Sequence, residues 1–229
     1  MSPRPPCLRR GFTLVELLVV VAIVVIIAAL ALPAANRSLQ VAKAAKCMSN
    51  LRQIGTGVIA YANEADGAFP TGGFKPVAWI AQIYPYVGRQ EAVFVCPSGG
   101  KTGPGGLQPW EALPSPDEDK MYPSHYAYNA HLNGNTTLWS GWAMRQRPAS
   151  VRNLSGLPVM MEFVFQNNFY ANSAFFVAAT NSPQVFAPRH NGRGNILWGD
   201  GHVSAMSLAD LTALAVRAGG WANLCVGEY

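Results

Sequence analysis

Apolar residues follow one another without interruption from Leu17 to Leu32, and across Phe12–Ala35 the only charged residue is Glu16. A run of this length is long enough to cross a hydrocarbon core of about 30 Å as a helix. Positive charge ahead of such a span keeps its N-terminus in the cytoplasm. The pattern therefore predicts a membrane-spanning helix with a defined orientation. The basic residues that precede it are Arg4, Arg9 and Arg10.

Beyond Pro33 the hydrophobic pattern becomes amphipathic. Gly67 is placed to cap the C-terminus of the helix that this pattern predicts. We therefore predict one helix over residues 12–65, roughly 80 Å long at 1.5 Å per residue, with residues 12–35 as its membrane half and residues 36–66 as its amphipathic half. The apolar positions that share one helical face, at spacings of four and three, are Cys47, Leu51, Ile54, Val58 and Tyr61.

Residues 67–229 carry the signals of a domain built from short elements. Ser207 is placed as the N-cap of a final helix, and short apolar runs between turn residues predict strands. The fold class is therefore predicted as α+β, with a long N-terminal helix packed on an antiparallel β-sheet head. The predicted elements are a helical stretch over Trp79–Val87, a strand end at Phe94–Val95, strands over Val159–Phe165 and Ala174–Ala179, a hairpin of Asn195–Trp198 and His202–Met206, and a helix over Leu208–Arg217.

The charge balance gives little support to a nucleic-acid partner. The formal charge is +5, with 17 Lys+Arg against 12 Asp+Glu, but three of the arginines lie in residues 1–11. Without that segment the number of basic residues falls from 17 to 14. No stripe of Lys and Arg interleaved with aromatic residues remains, so we expect no binding to nucleic acid.

Three interpretations of the apolar run compete. An ordinary signal peptide with a small-residue cleavage site at Ala29–Ala31 is one, although its apolar core is usually about 7–15 residues long. A plain membrane anchor is the second. It leaves Glu16 without a partner, and a carboxylate at mid-membrane costs roughly 2.5–3.5 kcal/mol.

The third interpretation accounts for Glu16. The segment Gly11-Phe12-Thr13-Leu14-Val15-Glu16 resembles the leader junction of type IV prepilins and type II secretion pseudopilins. The resemblance implies that residues 1–11 form a leader, that a membrane peptidase cuts between Gly11 and Phe12, and that the new amine of Phe12 is methylated. It also implies that Glu16 meets the amine of a neighbouring subunit and that Pro33 kinks the helix.

The same resemblance implies partners and a location. The partners are the prepilin peptidase/methyltransferase, other pilin-like subunits and the inner membrane. The protein would cross the cytoplasmic membrane once, with its N-terminus in the cytoplasm and its head outside, and a cell-surface filament is one destination. We accordingly expect a structural subunit and no enzyme.

A second resemblance lies in the head. His190 and Asp200 are separated by nine residues, and Gly201 follows, so residues 190–201 resemble the signature of the processing-associated H-X9-DG pilin-like proteins. Members of that family often have an aspartate where this chain has Glu162. The resemblance implies architecture more than mechanism. The other matching segments are Cys47–Gly55, Tyr61–Asn63, Phe69–Pro70, Cys96–Ser98 and Tyr126–Asn129.

Four residues near this signature are candidate metal ligands, namely His190, Asp200, His202 and Glu162. Imidazole and carboxylate groups are the right ligand types for zinc, manganese or iron. The alternative is a tight turn at Asp200-Gly201, with His190 bonding its backbone or the Asp200 carboxylate to fix the hairpin. We expect no cofactor, with a divalent metal as the one candidate.

The cysteines leave two interpretations open. Cys7 lies in the leader, so the three others allow at most one internal disulfide. Cys47 and Cys96 are the candidate pair, and Cys47 is equally a residue of the apolar core. Because no two cysteines have C-x-x-C spacing, we do not expect a zinc knuckle.

A second function class remains open on this evidence. The chain lacks a Gly-x-Ser-x-Gly nucleophile motif. The alternative to a pilin-like subunit is a membrane-anchored extracytoplasmic protein that binds a metal or another ligand, with or without enzymatic activity. Such a protein would use the prepilin leader only for export.

Overall fold

The computed structural model describes residues 13–70, 79–99, 124–129, 132, 148–163, 186–219 and 224. The chain divides into two compact units, Met1–Val41 and Ala42–Tyr229. Three of the sequence predictions lie outside the described residues: Gly11 and Phe12 of the leader junction, and the strand at Ala174–Ala179.

The described part of the first unit is the beginning of helix α1, which spans Leu14–Glu64. Thr13 and Glu16 cap this helix reciprocally. The Thr13 backbone N and Oγ1 donate to Glu16 Oε2 at 2.9 and 2.7 Å, and the Glu16 backbone N donates to Thr13 Oγ1 at 3.2 Å. The N–H groups of Thr13 and Glu16, two of the donors at the start of the helix, are thus satisfied by side chains.

Helix α1 includes Pro33, so the chain remains helical beyond the proline, as predicted. The large apolar side chains between Leu14 and Leu32 are all exposed in the first unit. By length and composition, α1 can cross a membrane. This agrees with the predicted span.

In the second unit, α1 buries the face predicted from its spacing. Cys47, Leu51, Ile54 and Val58 are 0–2% exposed. Helix α1 ends at Glu64, and Gly67 lies just beyond it as predicted, with φ 72° after Asp66 with φ 51°, and its N–H donates to the Ala62 carbonyl at 2.8 Å. Such a left-handed glycine is the usual C-terminal cap.

The second unit contains a four-stranded antiparallel sheet in the order β1-β2-β3-β4. With helix α1, this sheet confirms the α+β class. Each strand pairs with the next one along the chain, and Tyr126 on β1 lies opposite Glu162 on β2. The strands are β1 Tyr126–Tyr128, β2 Pro158–Glu162, β3 Arg193–Trp198 and β4 Val203–Ser207.

The C-terminal hairpin and helix match the sequence prediction. Strand β4 runs directly into helix α3, Leu208–Arg217, and Ser207 is the last residue of the strand and the N-cap of the helix. Ser207 Oγ accepts from the Asp210 N–H at 3.1 Å, and Asp210 Oδ2 accepts from the Ser207 N–H at 3.2 Å. The apolar face of α3 buries Leu211 and Ala215.

The predicted helical stretch at Trp79–Val87 is present as helix α2, Trp79–Ile83, followed by a 3-10 helix over Tyr84–Val87. The predicted strand end at Phe94–Val95 is wrong. Glu91–Phe94 forms a 3-10 helix, and Phe94 and Val95 do not enter the sheet.

The reason is that isolated contacts satisfy this backbone, so no strand ladder is needed. Asn50 Nδ2 donates to the Val95 carbonyl at 3.0 Å, and the His125 N–H donates to the Phe94 carbonyl at 2.9 Å. Strand β2 ends at Glu162, and Val164 and Phe165 of the predicted strand lie outside the described residues. Phe163 forms only an isolated bridge to Phe186.

Candidate metal centre

Four separate segments of the second unit bring two thiols, a carboxylate and an imidazole together. Cys47 lies on α1, and Cys96 follows the 3-10 helix that ends at Phe94. Glu162 is the last residue of β2, and His190 precedes β3. One donor atom from each lies within 4.8 Å of the others. The four residues are 0–9% exposed. Within the described residues, this is the group with the composition of a metal site.

The Cys96 segment is held by side chains of α1 and of the strand β1 region. Asn50, one turn after Cys47 on α1, donates through Nδ2 to the carbonyls of Ala92 and Val95 at 3.3 and 3.0 Å. The Cys96 N–H donates to His125 Nδ1 at 3.0 Å. These contacts fix the Cys96 thiol against α1.

Gly99 lets the His125 ring approach this segment. A Cβ at position 99 would lie 2.4–2.7 Å from three atoms of the imidazole, which is closer than carbon atoms can pack. Because His125 Nδ1 accepts from Cys96, the absence of a side chain at Gly99 helps to place the thiol.

His190 is positioned by a two-residue turn. The backbone groups of His190 and Arg193 bond each other at 2.9 and 3.0 Å, and Asn191 and Gly192 between them have φ angles of 52° and 78°. Left-handed conformations at both central positions define the turn that Asn-Gly favours. The turn places the imidazole beside the end of β2.

One carboxylate oxygen is the centre of the cluster. Glu162 Oε1 lies 2.8 Å from His190 Nε2 and accepts from Asn195 Nδ2 at 3.1 Å. Cys96 Sγ lies 3.8 Å from the same oxygen, and Cys47 Sγ also contacts it. A single oxygen with four neighbours indicates a site in which several groups converge on one point.

The sulfur atoms have further polar neighbours. Cys96 Sγ lies 3.5 Å from His190 Nε2, and Cys47 Sγ lies 3.1 Å from the hydroxyl of Tyr126. The Arg189 guanidinium donates to the His125 carbonyl at 3.2 Å and to that of Phe163. This places a positive charge next to the cluster.

These contacts shift the acidities of the cluster. The hydrogen bond between the two thiols lowers the pKa of Cys96 and raises the pKa of Cys47, which burial raises further. The hydrogen bond to Glu162 raises the pKa of His190 against the opposing effect of burial. Burial raises the pKa of Tyr126 well above its usual range. Within the cluster, the Cys96 thiol therefore loses its proton more easily than the Cys47 thiol.

Two buried atoms of the cluster have unused bonding capacity. Among the described residues, Glu162 Oε2 and His190 Nδ1 lack a hydrogen-bond partner. A buried polar atom without a partner costs about 1–3 kcal/mol. Such atoms point to a missing ion, solvent molecule or proton acceptor at the site.

The structure divides the four metal ligands predicted from the sequence. Glu162 and His190 come together, whereas Asp200 and His202 pair with each other in the β3–β4 turn. His202 Nδ1 lies 2.5 Å from Asp200 Oδ1, and the His202 ring stacks on Trp198 with centroids 5.6 Å apart. The Gly201 N–H donates to the Trp198 carbonyl at 2.9 Å, so the predicted tight turn is present. The His190 ring contacts the Glu162 carboxylate, which corrects the prediction that it bonds either the backbone of the Asp200-Gly201 turn or the Asp200 carboxylate.

Sequence reasoning treated the two cysteines as a disulfide or as core residues and missed them as members of this cluster. Both are buried, free thiols in the structure, so their pairing stays a prediction. It also missed Tyr126 and Asn195 as neighbours of the cluster. Asn50 was the one sequence signal for this arrangement, because a polar residue on the apolar face of α1 needs a buried partner. In the structure that partner is the segment that carries Cys96.

Comparison with known proteins gives one match. Residues 8–32 match the family model of the prokaryotic N-terminal methylation motif. No curated protein and no solved structure matches the chain. The motif and the long apolar helix together indicate a prepilin-like protein, processed by a prepilin peptidase and anchored in a membrane by a single span.

Proposed function

We propose that the protein is a pseudopilin-like structural subunit of a type II secretion or type IV pilus-like system. A prepilin peptidase removes residues 1–11 and methylates Phe12, and α1 anchors the subunit in the cytoplasmic membrane with the head outside. The observation that carries the proposal is the methylation motif over residues 8–32, at the start of a helix whose large apolar side chains from Leu14 to Leu32 are all exposed.

The exposed apolar side chains of the N-terminal part of α1 need an apolar environment, either lipid or other helices. Side chains from Leu14 to Leu32 are 49–79% exposed where they are large and apolar. Lipid covers such a surface in an isolated subunit, and the corresponding helices of other subunits cover it in a filament. This supports assembly by side-by-side packing of the N-terminal helices.

Glu16 supplies the specific contact in this proposal. Its carboxylate bonds Thr13 within its own helix. In an assembly it meets the amine of a neighbouring Phe12, because opposite charges attract strongly in a low dielectric and each offsets the other's desolvation. Exchange of an internal partner for an external one would then accompany assembly.

The proposed role is structural and not enzymatic. The convergent group of the head consists of four side chains that are 0–9% exposed. Chemistry on a substrate needs an accessible position at the reacting group. Burial of the cluster therefore supports a role in holding the fold.

Mass spectrometry of the mature N-terminus tests the processing step. We expect a chain that begins at Phe12 and carries one added methyl, recovered from the membrane fraction and from the material sheared off the cell surface. A chain that begins near Leu32 would instead identify a secreted protein. Mature protein confined to the membrane fraction would favour the alternative of an anchored ligand-binding protein.

The variant Glu16→Ala tests the assembly step. We expect unchanged processing and a roughly tenfold lower recovery in the sheared fraction, equivalent to about 1.4 kcal/mol. Thr13→Ala is the matched control, because it removes the Thr13 hydroxyl, one of the two donors to Glu16 in the helix cap, and keeps the carboxylate. An equal loss in Thr13→Ala would assign the effect to helix capping and contradict the proposed contact.

A further inference from the structure

We propose that Cys47, Cys96, Glu162 and His190 form a structural site for a divalent transition ion, with zinc as the best fit. The ion would tie α1, the Cys96 segment, strand β2 and the His190 turn together inside the second unit. This inference concerns the fold of the head and does not depend on filament assembly.

The donor set fits zinc. Thiolate, imidazole and carboxylate are its three common protein ligands, and structural zinc sites take four of them in a tetrahedron. Thiolate ligands disfavour the hard ions magnesium and calcium. The sequence offered no paired C-x-x-C spacing, and here each ligand comes from a different segment.

One of the distances between ligand atoms fits an ion at the centre of the cluster as it stands, and a second has to lengthen. Bonds of about 2.3 Å to sulfur and about 2.1 Å to nitrogen in a tetrahedron set the two ligand atoms about 3.5 Å apart. The Cys96 Sγ–His190 Nε2 distance is 3.5 Å. The His190 Nε2–Glu162 Oε1 distance is 2.8 Å, which is a hydrogen-bond distance. If an ion takes the place of this hydrogen bond, His190 Nε2 and Glu162 Oε1 have to move apart by about 0.6 Å.

The charge balance favours a cation. Two thiolates and one carboxylate would bury three negative charges, which is unfavourable without compensation. A divalent ion reduces the net charge to about −1, next to the Arg189 guanidinium. The thiol protons leave as the ion binds, as is usual for cysteine ligands.

A second observation points to a ligand independently of the donor set. Glu162 is fully buried, yet its Oε2 has no hydrogen-bond partner among the described residues. The groups around the cluster are those that orient ligands: Asn195 Nδ2 donates to Glu162 Oε1, and the Tyr126 hydroxyl contacts Cys47 Sγ. The proposed ligands are thus themselves held in place by neighbouring polar side chains.

Four protein ligands leave no open coordination position, which is typical of structural and not of catalytic zinc. The competing state is a Cys47–Cys96 disulfide, since the two sulfur atoms lie within 4.8 Å. That bond would consume both thiolates and abolish the site. The two states therefore exclude each other in one molecule.

The test uses the full-length protein, purified in detergent under a reductant, stripped with a chelator and given Zn²⁺ or Co²⁺ alone. We expect one ion per chain by elemental analysis and a higher unfolding temperature with Zn²⁺. With Co²⁺ we expect the strong visible absorption of a four-coordinate ion and a sulfur-to-cobalt charge-transfer band. Cys96→Ser and His190→Gln should each weaken Zn²⁺ binding at least about tenfold.

The matched controls are Asp200→Asn and His202→Gln, which alter the exposed histidine–carboxylate pair and should bind Zn²⁺ like the wild type. Loss of binding in these controls but not in Cys96→Ser would overturn the proposal. So would a wild-type protein that binds neither ion or that leaves the cell with a Cys47–Cys96 disulfide. If a ligand variant fails to fold, the cobalt spectrum of the wild type decides, because absence of the charge-transfer band excludes thiolate coordination.

Discussion

Two histidine–carboxylate pairs flank strand β3, and they differ in almost everything except composition. His190 precedes the strand and meets Glu162 at 2.8 Å, with side chains 6% and 0% exposed. Asp200 follows the strand and meets His202 at 2.5 Å, with side chains 39% and 45% exposed. The shorter contact is that of the exposed pair, Asp200 and His202, whose hydrogen bond water can replace. Burial and not distance therefore decides which pair the fold depends on.

The physical reason lies in what each group would contact if its partner were lost. An exposed carboxylate regains water, so the net effect of the pair is small. Glu162 would be left in the core with Asn195 and two thiols as its neighbours. The following predictions use metal-free protein, so that each measures the pairs themselves.

Removal of the buried imidazole should have the largest effect. In His190→Ala, Glu162 loses its closest partner, and we expect the free energy of unfolding to fall by about 3–5 kcal/mol. Denaturant titration followed by tryptophan fluorescence measures it. The double variant His190→Ala/Glu162→Gln is the control, because a neutral amide should make the combined cost smaller than the sum of the two single costs. A loss below about 1 kcal/mol in His190→Ala would mean that water reaches the cluster.

Removal of a second donor to the same carboxylate should have an intermediate effect. Asn195→Ala deletes the Nδ2 donor to Glu162 and should cost about 1.5–3 kcal/mol, the usual range for hydrogen bonds to a charged group. Ser204→Ala is the control on the neighbouring strand, since its Oγ accepts from Trp198 Nε1 at 2.7 Å in a neutral contact. We expect about 1 kcal/mol there. Equal costs in the same titration would show that the contact of Asn195 with Glu162 contributes no more than a neutral hydrogen bond.

The exposed pair should contribute little. His202→Phe keeps an aromatic ring on Trp198 and removes the contact to Asp200, so we expect a change of only about 0.2–1 kcal/mol. The same denaturant titration measures it. A cost as large as that of His190→Ala would remove the distinction between the two pairs.

The smallest predicted effect is a pH dependence of the exposed pair. Burial raises the pKa of Asp200, but the backbone and side-chain hydrogen bonds from His202 together outweigh it and lower that pKa below its ordinary 3.8. The contact therefore adds stability above that pH and loses it as the pH falls through the lowered value. Thermal unfolding of the wild type and Asp200→Asn should differ slightly at pH 6 and converge in acid, with a gap below about 1 kcal/mol. A gap that widens in acid would contradict this assignment.

The elements that follow local rules were predictable from the sequence. The buried face of α1 repeats at three and four residues, Gly67 ends the helix, and Ser207 begins α3 with its capping box completed by Asp210. In each case the sequence signal is contained within a few turns of the chain, whatever the element packs against. The prediction of a strand end at Phe94–Val95 was wrong because the carbonyls of these residues accept hydrogen bonds from Asn50 on α1 and from His125 next to β1. No local sequence pattern reveals such contacts.

The candidate site was predictable only in part for the same reason. The spacing of the C-terminal signature drew attention to His190 and Asp200, but spacing along the chain does not say which carboxylate the imidazole meets. Cys47 and Cys96 join the site through the packing of α1 against the sheet. Their place in the cluster depends on tertiary contacts between segments that are far apart in the sequence.

The junction at Ser207 has a consequence for how this domain can change over time. The residue closes β4 and opens α3, so no linker separates sheet from helix. One inserted residue would rotate α3 by about 100° relative to the sheet, which would carry Leu211 and Ala215 away from the core that they fill. This stretch can therefore accept exchanges of one side chain for another, while its length is fixed.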